Sequence, residues 1–535
     1  MTETERRQII ALVKSEVIPA IGCTEPIAVA LCVAKAAEVL NKRPEKITVL
    51  LSANILKNAM GVGIPGTGMI GLPIAVALGA LIGKSAYQLE VLKDSTPDAV
   101  EAGKRFIEEK RIHISLKDDI EEKLYIEVCC EADTDKATAI IAGGHTCFTY
   151  IMHNGDILLD KQTTSCIEEE EDVLDLTLRK VYDFAMTTSL DDIRFILDTA
   201  RLNKTAAERS FEGEYGHGLG KILRGTYEHR IMGDSVFSHI LSYTSGACDA
   251  RMAGAMIPVM SNSGSGNQGI SATLPVLVYA EENGKSEEEL IRALMLSHLT
   301  VIYIKQSLGR LSALCGCVVA ATGSSCGITW LMGGTYEHKV MGDSVFSHIL
   351  SYTSAACDAR MAGAMIPVMS NSGSGNQGIS ATLPVVVFAE ENGKSEEELI
   401  RALMLSHLTV IYIKQSLGRL SALCGCVVAA TGSSCGITWL MGGNYNQVAF
   451  AVQNMIANLT GMICDGAKPS CALKVTTGVS TAVLSAIMAM ENRCVTSVEG
   501  IIDEDVDQSI RNLTKIGSKG MNETDKLVLE IMTSK

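Results

Sequence analysis

Apolar residues recur at helical spacing over 4–18 and 26–41, which predicts two helices near the N-terminus. Between residues 105 and 165 the period shortens. Ile112–Ser115, Leu124–Cys130 and Thr146–Met152 read as short strands, a helix is predicted over Thr134–Ala142, and the "HNGD" of 153–156 reads as a hairpin turn. From Glu168 onward helical spacing returns. In "SEEELIRALMLSHLTVIYIKQSL", Ser286 is placed to N-cap a long helix, with Glu289 closing a capping box. The pattern predicts an α+β protein: a predominantly helical domain made of residues 1–104 and 166–535, with a small inserted α/β domain at 105–165.

A repeat dominates the chain. Residues 226–334 and 335–443 are near-identical tandem copies at a constant offset of 109. They differ at five pairs of positions: Arg230/Lys339, Ile231/Val340, Gly246/Ala355, Leu277/Val386 and Tyr279/Phe388. Solenoid units are shorter and more diverged, so this is an internal duplication. Either copy can supply a given functional residue, and a displaced copy exposes apolar surface. That predicts aggregation or exchange between chains and leaves a homo-oligomer open as a partner.

Two uncharged runs, 61–83 and 311–334, are long enough to span a bilayer. Pro65, Pro73 and clustered glycines break the first, and the second is rich in Ser, Thr and Cys, so buried Gly- and Ala-rich helices are expected rather than membrane spans. Composition agrees: 47% apolar but only 4% aromatic, with 48 Gly and 23 Met, favours closely packed helices. The net charge of −15 excludes a nucleic-acid footprint, which needs clustered Lys and Arg. The opening "MTETERRQII" lacks a signal-peptide apolar core, so a cytoplasmic location is expected. Seventeen cysteines in that setting point to reduced thiols or a metal site, many of them plain core residues.

Three stretches carry candidate chemistry. "MSNSGSGNQG" at 260–269 and again at 369–378 offers backbone N–H groups to an oxyanion without a P-loop lysine, so a carboxylate fits better than a nucleotide phosphate. In "IGCTEP" at 21–26, Thr24 and Pro26 mark a helix start, which places Cys23 where a helix dipole lowers a thiol pKa. "LCGC" at 423–426, copied at 314–317, and "CDGAKPSC" at 464–471 match no zinc-ribbon spacing but suit the looser spacing of iron–sulfur ligands. His217, in "EYGHGLG", is more simply a structural histidine.

"GCTEP", "DARMAGAMIPVMSNSGSGNQG", "RLSALCGC" and "CDGAKPSCALK" together resemble the L-cysteine desulfidase family, cytoplasmic enzymes related to iron–sulfur L-serine dehydratases. The resemblance covers the whole chain once one 109-residue copy is removed. It implies a [4Fe–4S] cluster in the helical domain, held by Cys424, Cys464 and Cys471, with Cys426 a rival for the first place. It implies proton acceptance by Cys23 and binding of the substrate carboxylate by Ser370, Asn371, Ser372, Gly373, Ser374, Gly375, Asn376 and Gln377. The implied reaction is an α,β-elimination of L-cysteine to pyruvate, ammonia and sulfide. The same machinery acting on L-serine is the nearest alternative. An inactive amino-acid-binding protein and a membrane carrier are the readings from other classes. The family carries the repeated segment once, and Cys424 rather than Cys315 keeps the family-like distance to Cys464. In "CDGAKPSC", Pro469 is expected to break the helix, with Asp465 and Lys468 as supporting or capping groups.

Overall fold

The computed structural model describes residues 1–535 except 21–23, 119, 121, 162–175, 226–230, 309–313, 334–340, 363–364, 366, 418–421, 467, 469 and 535. The chain is α+β with a mainly helical body, as the periodicity predicts. It forms two compact units: Met1–Lys221 with Ile240–Glu337, and Ile222–His239 with His338–Lys535.

Unit 1 holds a six-stranded mixed sheet, in the order Ile112–Leu116, Lys46–Leu51, Tyr125–Ala132, Asp135–Ala142, Phe148–His153 and Asp156–Asp160. The first pair is parallel and the rest antiparallel. Alternation explains its sidedness. In "KITVLL" Ile47, Val49 and Leu51 are buried, and along Tyr125–Ala132 every second residue is buried. These residues share one core with the helices Thr24–Leu40 and Leu72–Leu81. Gly79 lets those two helices approach, because a Cβ there would lie 2.6 Å from the Ala30 carbonyl oxygen.

Three expectations change in detail. Residues 135–142, expected as a helix, form a strand. Asp133 adopts φ 53° in a tight turn, and the β-branched Thr138, Ile140 and Ile141 pair back onto Tyr125–Ala132. Cross-strand pairing outweighs local helix preference here. The sheet also reaches outside 105–165, since Lys46–Leu51 is an internal strand. The run 61–83 is not one long helix but a short strand pair followed by the buried helix Leu72–Leu81. Among the described residues one helix, Cys471–Met490, is long and apolar enough to cross a membrane by length and composition, and 56% of its apolar window is buried within the protein. The hairpin turn at 154–155, the capping box at Ser286 and Glu289, and the helix Glu3–Glu16 appear where expected.

The two copies fold alike because their local sequence is nearly the same. Copy one contributes the helices Gly266–Glu282, Glu287–Leu308 and Gly316–Leu331 to unit 1. Copy two contributes Gly375–Glu391, Glu396–Leu417 and Gly425–Leu440 to unit 2, followed by Tyr445–Leu459, Cys471–Met490 and Val506–Lys515. The same internal bonds recur: Ser297 Oγ donates to the Ala272 carbonyl at 2.7 Å, and Ser406 Oγ to the Ala381 carbonyl at 2.8 Å.

Phe106 anchors the sheet domain. It is fully buried, with the guanidinium carbons of Arg43 and Arg111 at 5.7 and 5.5 Å from its ring centroid. Phe106→Ala is expected to lower stability by about 3–5 kcal/mol, and Phe106→Leu by clearly less, as read from urea unfolding midpoints.

Candidate functional site

Unit 2 brings the C-terminal cysteine segment onto copy two through the main chain. Cys424 N–H donates to the Met462 carbonyl at 2.9 Å, and Cys464 N–H to the Ala422 carbonyl at 2.5 Å, around a bridge between Leu423 and Ile463. Two thiols forty residues apart thus flank one backbone bridge. Cys424 occupies the N-cap position of the helix Gly425–Leu440, and Cys471 opens the helix Cys471–Met490. Both positions sit at the positive end of a helix. The sulfur of Cys471 also accepts from the Lys468 N–H at 3.4 Å.

The thiols are electrostatically unequal. A hydrogen bond from Cys426 holds the Cys424 pKa down to about 6, and the Cys426 thiol is pushed well up in return. Burial, with Cys471 nearby, raises Cys357 to about 11. Two lysines face the group. Burial lowers the pKa of Lys414, while the thiols of Cys464 and Cys424 act to raise it. Burial also pulls on Lys474, but its bond to Asp465 outweighs this and the net shift is upward. Asp465 pairs with Lys468 at 2.5 Å and with Lys474, which together lower its pKa to about 2. Lys474 additionally donates to the Ile463 carbonyl at 2.9 Å. Asp465, bonded to Lys468 in the loop and to Lys474 in the helix that follows, therefore ties the cysteine loop to that helix. Pro469 lies outside the described residues.

The polar loop of copy two lies against this group. Ser372 and Gly373 take φ 51° and 81°, and Asn371 pairs with Ser374 across the turn. Ser374 N-caps the helix Gly375–Glu391 by accepting from the Gln377 N–H. Arg360 Nη1 donates to Asn376 Oδ1 at 2.9 Å. The helix start leaves first-turn N–H groups without intrahelical acceptors, as an anion site requires. A Cβ at Gly425 would meet Gln377 Nε2 at 2.7 Å, so the loop abuts the first turn of the Cys-Gly-Cys helix. Gln377 is buried, and among the described residues its Oε1 has no hydrogen-bond partner.

Among the described residues no three His, Cys, Asp or Glu side chains converge closely enough to hold a single metal ion. Cys424, Cys464 and Cys471, the ligands expected from the sequence, are all thiols, and one of them, of lowered pKa, stands beside Lys474. That chemistry fits iron–sulfur ligation. All described cysteines except Cys147 are free thiols.

Copy one repeats half of this arrangement in unit 1. Cys315 is exposed, and its bond with Cys317 again lowers its pKa to about 6. A cavity of about 300 Å³ beside it is lined by Lys57, Asn58, Arg251, Asn267, Gln268 and Cys317, among others. The N-terminal segment meets this copy: the Ser261 N–H donates to the Ile18 carbonyl at 2.8 Å, and Thr24 Oγ1 to the Gly264 carbonyl at 3.3 Å. Cys23 lies outside the described residues.

One pair of residues escaped the sequence reading. His298 and His407 clamp the polar loops from beneath. His298 Nδ1 and Nε2 lie 3.0 Å from Asn262 Nδ2 and Thr273 Oγ1, and His407 makes the same contacts to Asn371 and Thr382 at 2.9 and 3.0 Å. Burial depresses the His298 pKa to about 3, so the ring is neutral. The available signal was a lone histidine inside the apolar run "LMLSHLT".

The family model described as the serine dehydratase alpha chain matches residues 86–350 and again 338–530. A UPF0597 protein of Bacteroides fragilis is 67% identical over 535 residues, covering 100% of both chains. One from Phocaeicola vulgatus is 62% identical, covering 100% of this chain and 99% of its own. One from Photobacterium profundum is 36% identical and covers 98% of each chain.

Alkylation tests the electrostatics. Trypsin separates the copies, because the Cys315 peptide ends in "TYEHK" and the Cys424 peptide runs into "NYNQ". Since its pKa is lowered, Cys315 should react with iodoacetamide at a rate half-maximal near pH 6. Cys317→Ala removes the hydrogen bond that causes the shift, so the midpoint should climb toward the ordinary thiol value of 9.0. An unshifted wild-type midpoint would contradict the geometry.

Proposed function

The chain belongs to the serine dehydratase alpha chain family and to the UPF0597 proteins, and from that premise we propose that it is an iron–sulfur lyase acting on L-cysteine. The observation that carries this reading is the backbone bridge between Leu423 and Ile463, which sets Cys424 beside Cys464 at the foot of the polar loop. Cys424, Cys464 and Cys471 would hold a [4Fe–4S] cluster, which supplies a Lewis acid to the substrate when bound. Cys424 is preferred over Cys426 as ligand because the hydrogen bond between them leaves the charge on Cys424. Lys474 and Lys414 offset the negative charge gathered there.

The remaining work belongs to the chain's own groups. Residues 370–377, Ser370 through Gln377, would hold the α-carboxylate with loop and first-turn N–H groups. Gln377 Oε1, which has no partner among the described residues, would accept from the α-ammonium. His407 would keep Asn371, and with it the loop, in place. A base would accept the α-proton, a role the sequence gives to Cys23, which falls between Ile18 and Thr24, the residues that bond the copy-one loop in unit 1. The C–H electrons form the Cα–Cβ double bond, the Cβ–S bond breaks, and sulfide departs. The resulting aminoacrylate hydrolyses to pyruvate and ammonia. The family's serine dehydratase description favours a second substrate, L-serine, with hydroxide leaving instead.

Anaerobically loaded protein should form pyruvate and sulfide from L-cysteine faster than pyruvate from L-serine; the reverse order would assign it to L-serine. Cys464→Ala and Cys471→Ala should lose both bound iron and turnover. Cys23→Ala should keep the iron but lose about 10²–10⁴-fold in rate, the range for removing a general base. Full iron content in both Cys464→Ala and Cys471→Ala would refute the ligand assignment.

A further inference from the structure

The helices Glu287–Leu308 and Glu396–Leu417 have one sequence but two environments. In unit 1, Ile291, Met295 and Leu299 are each 0% exposed, whereas their twins in unit 2, Ile400, Met404 and Leu408, are 56%, 57% and 53% exposed. The helix Leu178–Thr187 covers the first face, burying Val181, Phe184 and Ala185. Arg292 closes its C-terminus: Nη1 donates to the carbonyls of Ala185, Met186 and Thr188 at 3.1, 2.8 and 3.3 Å. That places a cation on the negative end of the helix. In unit 2 the corresponding Arg401 is bonded, among the described residues, to Glu397 alone, and it stands beside an open groove of about 990 Å³ lined by Ile400, Met404, Leu405, Trp439 and Tyr445.

We propose that this groove docks an amphipathic helix, and that its occupant is the Leu178–Thr187 helix of a second copy of this chain. Ile400, Met404 and Arg401 at the groove are the twins of Ile291, Met295 and Arg292 on the face that already holds that helix, so two apolar anchors and a cation for its last carbonyls are in place. Binding follows the helix-in-groove mode, with Val181, Phe184 and Ala185 as anchors and Arg401 capping the last carbonyls. Every chain carries one such helix and two such faces. Exchange between chains trades one covered face for an equivalent one, which makes a swapped form cheap in energy.

The test needs no turnover, so it is independent of the lyase reading. A labelled peptide of residues 176–189 is titrated into the full-length protein, and sedimentation is followed across protein concentration. The peptide should bind saturably, and its Phe184→Asp form should not. Ile400→Asp and Arg401→Glu, both at exposed positions, should each weaken binding at least about tenfold. A dimer fraction should grow with concentration and disappear with excess peptide. Absence of saturable binding, binding indifferent to both substitutions, or a chain that stays monomeric at every concentration would overturn the proposal.

Discussion

Two main-chain hydrogen bonds, Cys424 to Met462 and Cys464 to Ala422, are the constraint on which the candidate centre depends. They are indifferent to side-chain identity, yet they fix which thiols can meet. Copy one has the same "LCGC" sequence in its own unit, but there Leu314 is 48% exposed while its twin Leu423 is 2% exposed. The bridge buries the segment, and burial makes a low-dielectric pocket in which a lysine and a thiolate matter.

The duplication serves as an internal control that separates local from tertiary effects. Cys315 and Cys424 both have a pKa near 6, because the responsible partner is two residues away and comes with the sequence. The histidines behave differently. His298 is fully buried and its pKa falls to about 3, whereas His407 is half-buried and is lowered less. The loop contacts are the same in both, so the difference lies in what packs outside the helix. Each copy is therefore dressed by different neighbours: copy one by the N-terminal strand and helices, copy two by the cysteine loop and the helices after it.

Much of the fold was legible wherever a signal was local and repeated. Helical spacing, the Ser286 capping box and the Asn-Gly turn at 154–155 all appear in place. What escaped was set by partners distant in sequence. Residues 135–142 read as a helix until a neighbouring strand is supplied, and "KITVLL" is too short to declare itself an internal strand. The cysteines and the glycine-rich loop stood out by composition, but nothing in "LMLSHLT" marks His298 as the residue that holds Asn262. The role of Asp465 as a double ion-pair acceptor likewise required Lys474, nine residues on, to come back across a helix start.

The central claim is that copy two, and not copy one, carries the cysteine that joins Cys464 and Cys471. Iron bound per chain in Cys315→Ala and in Cys424→Ala, loaded side by side, tests it most directly. The account predicts that the Cys315 variant binds as much iron as the unaltered protein and that the Cys424 variant binds almost none. Iron retained by the Cys424 variant and lost from the Cys315 variant would contradict it.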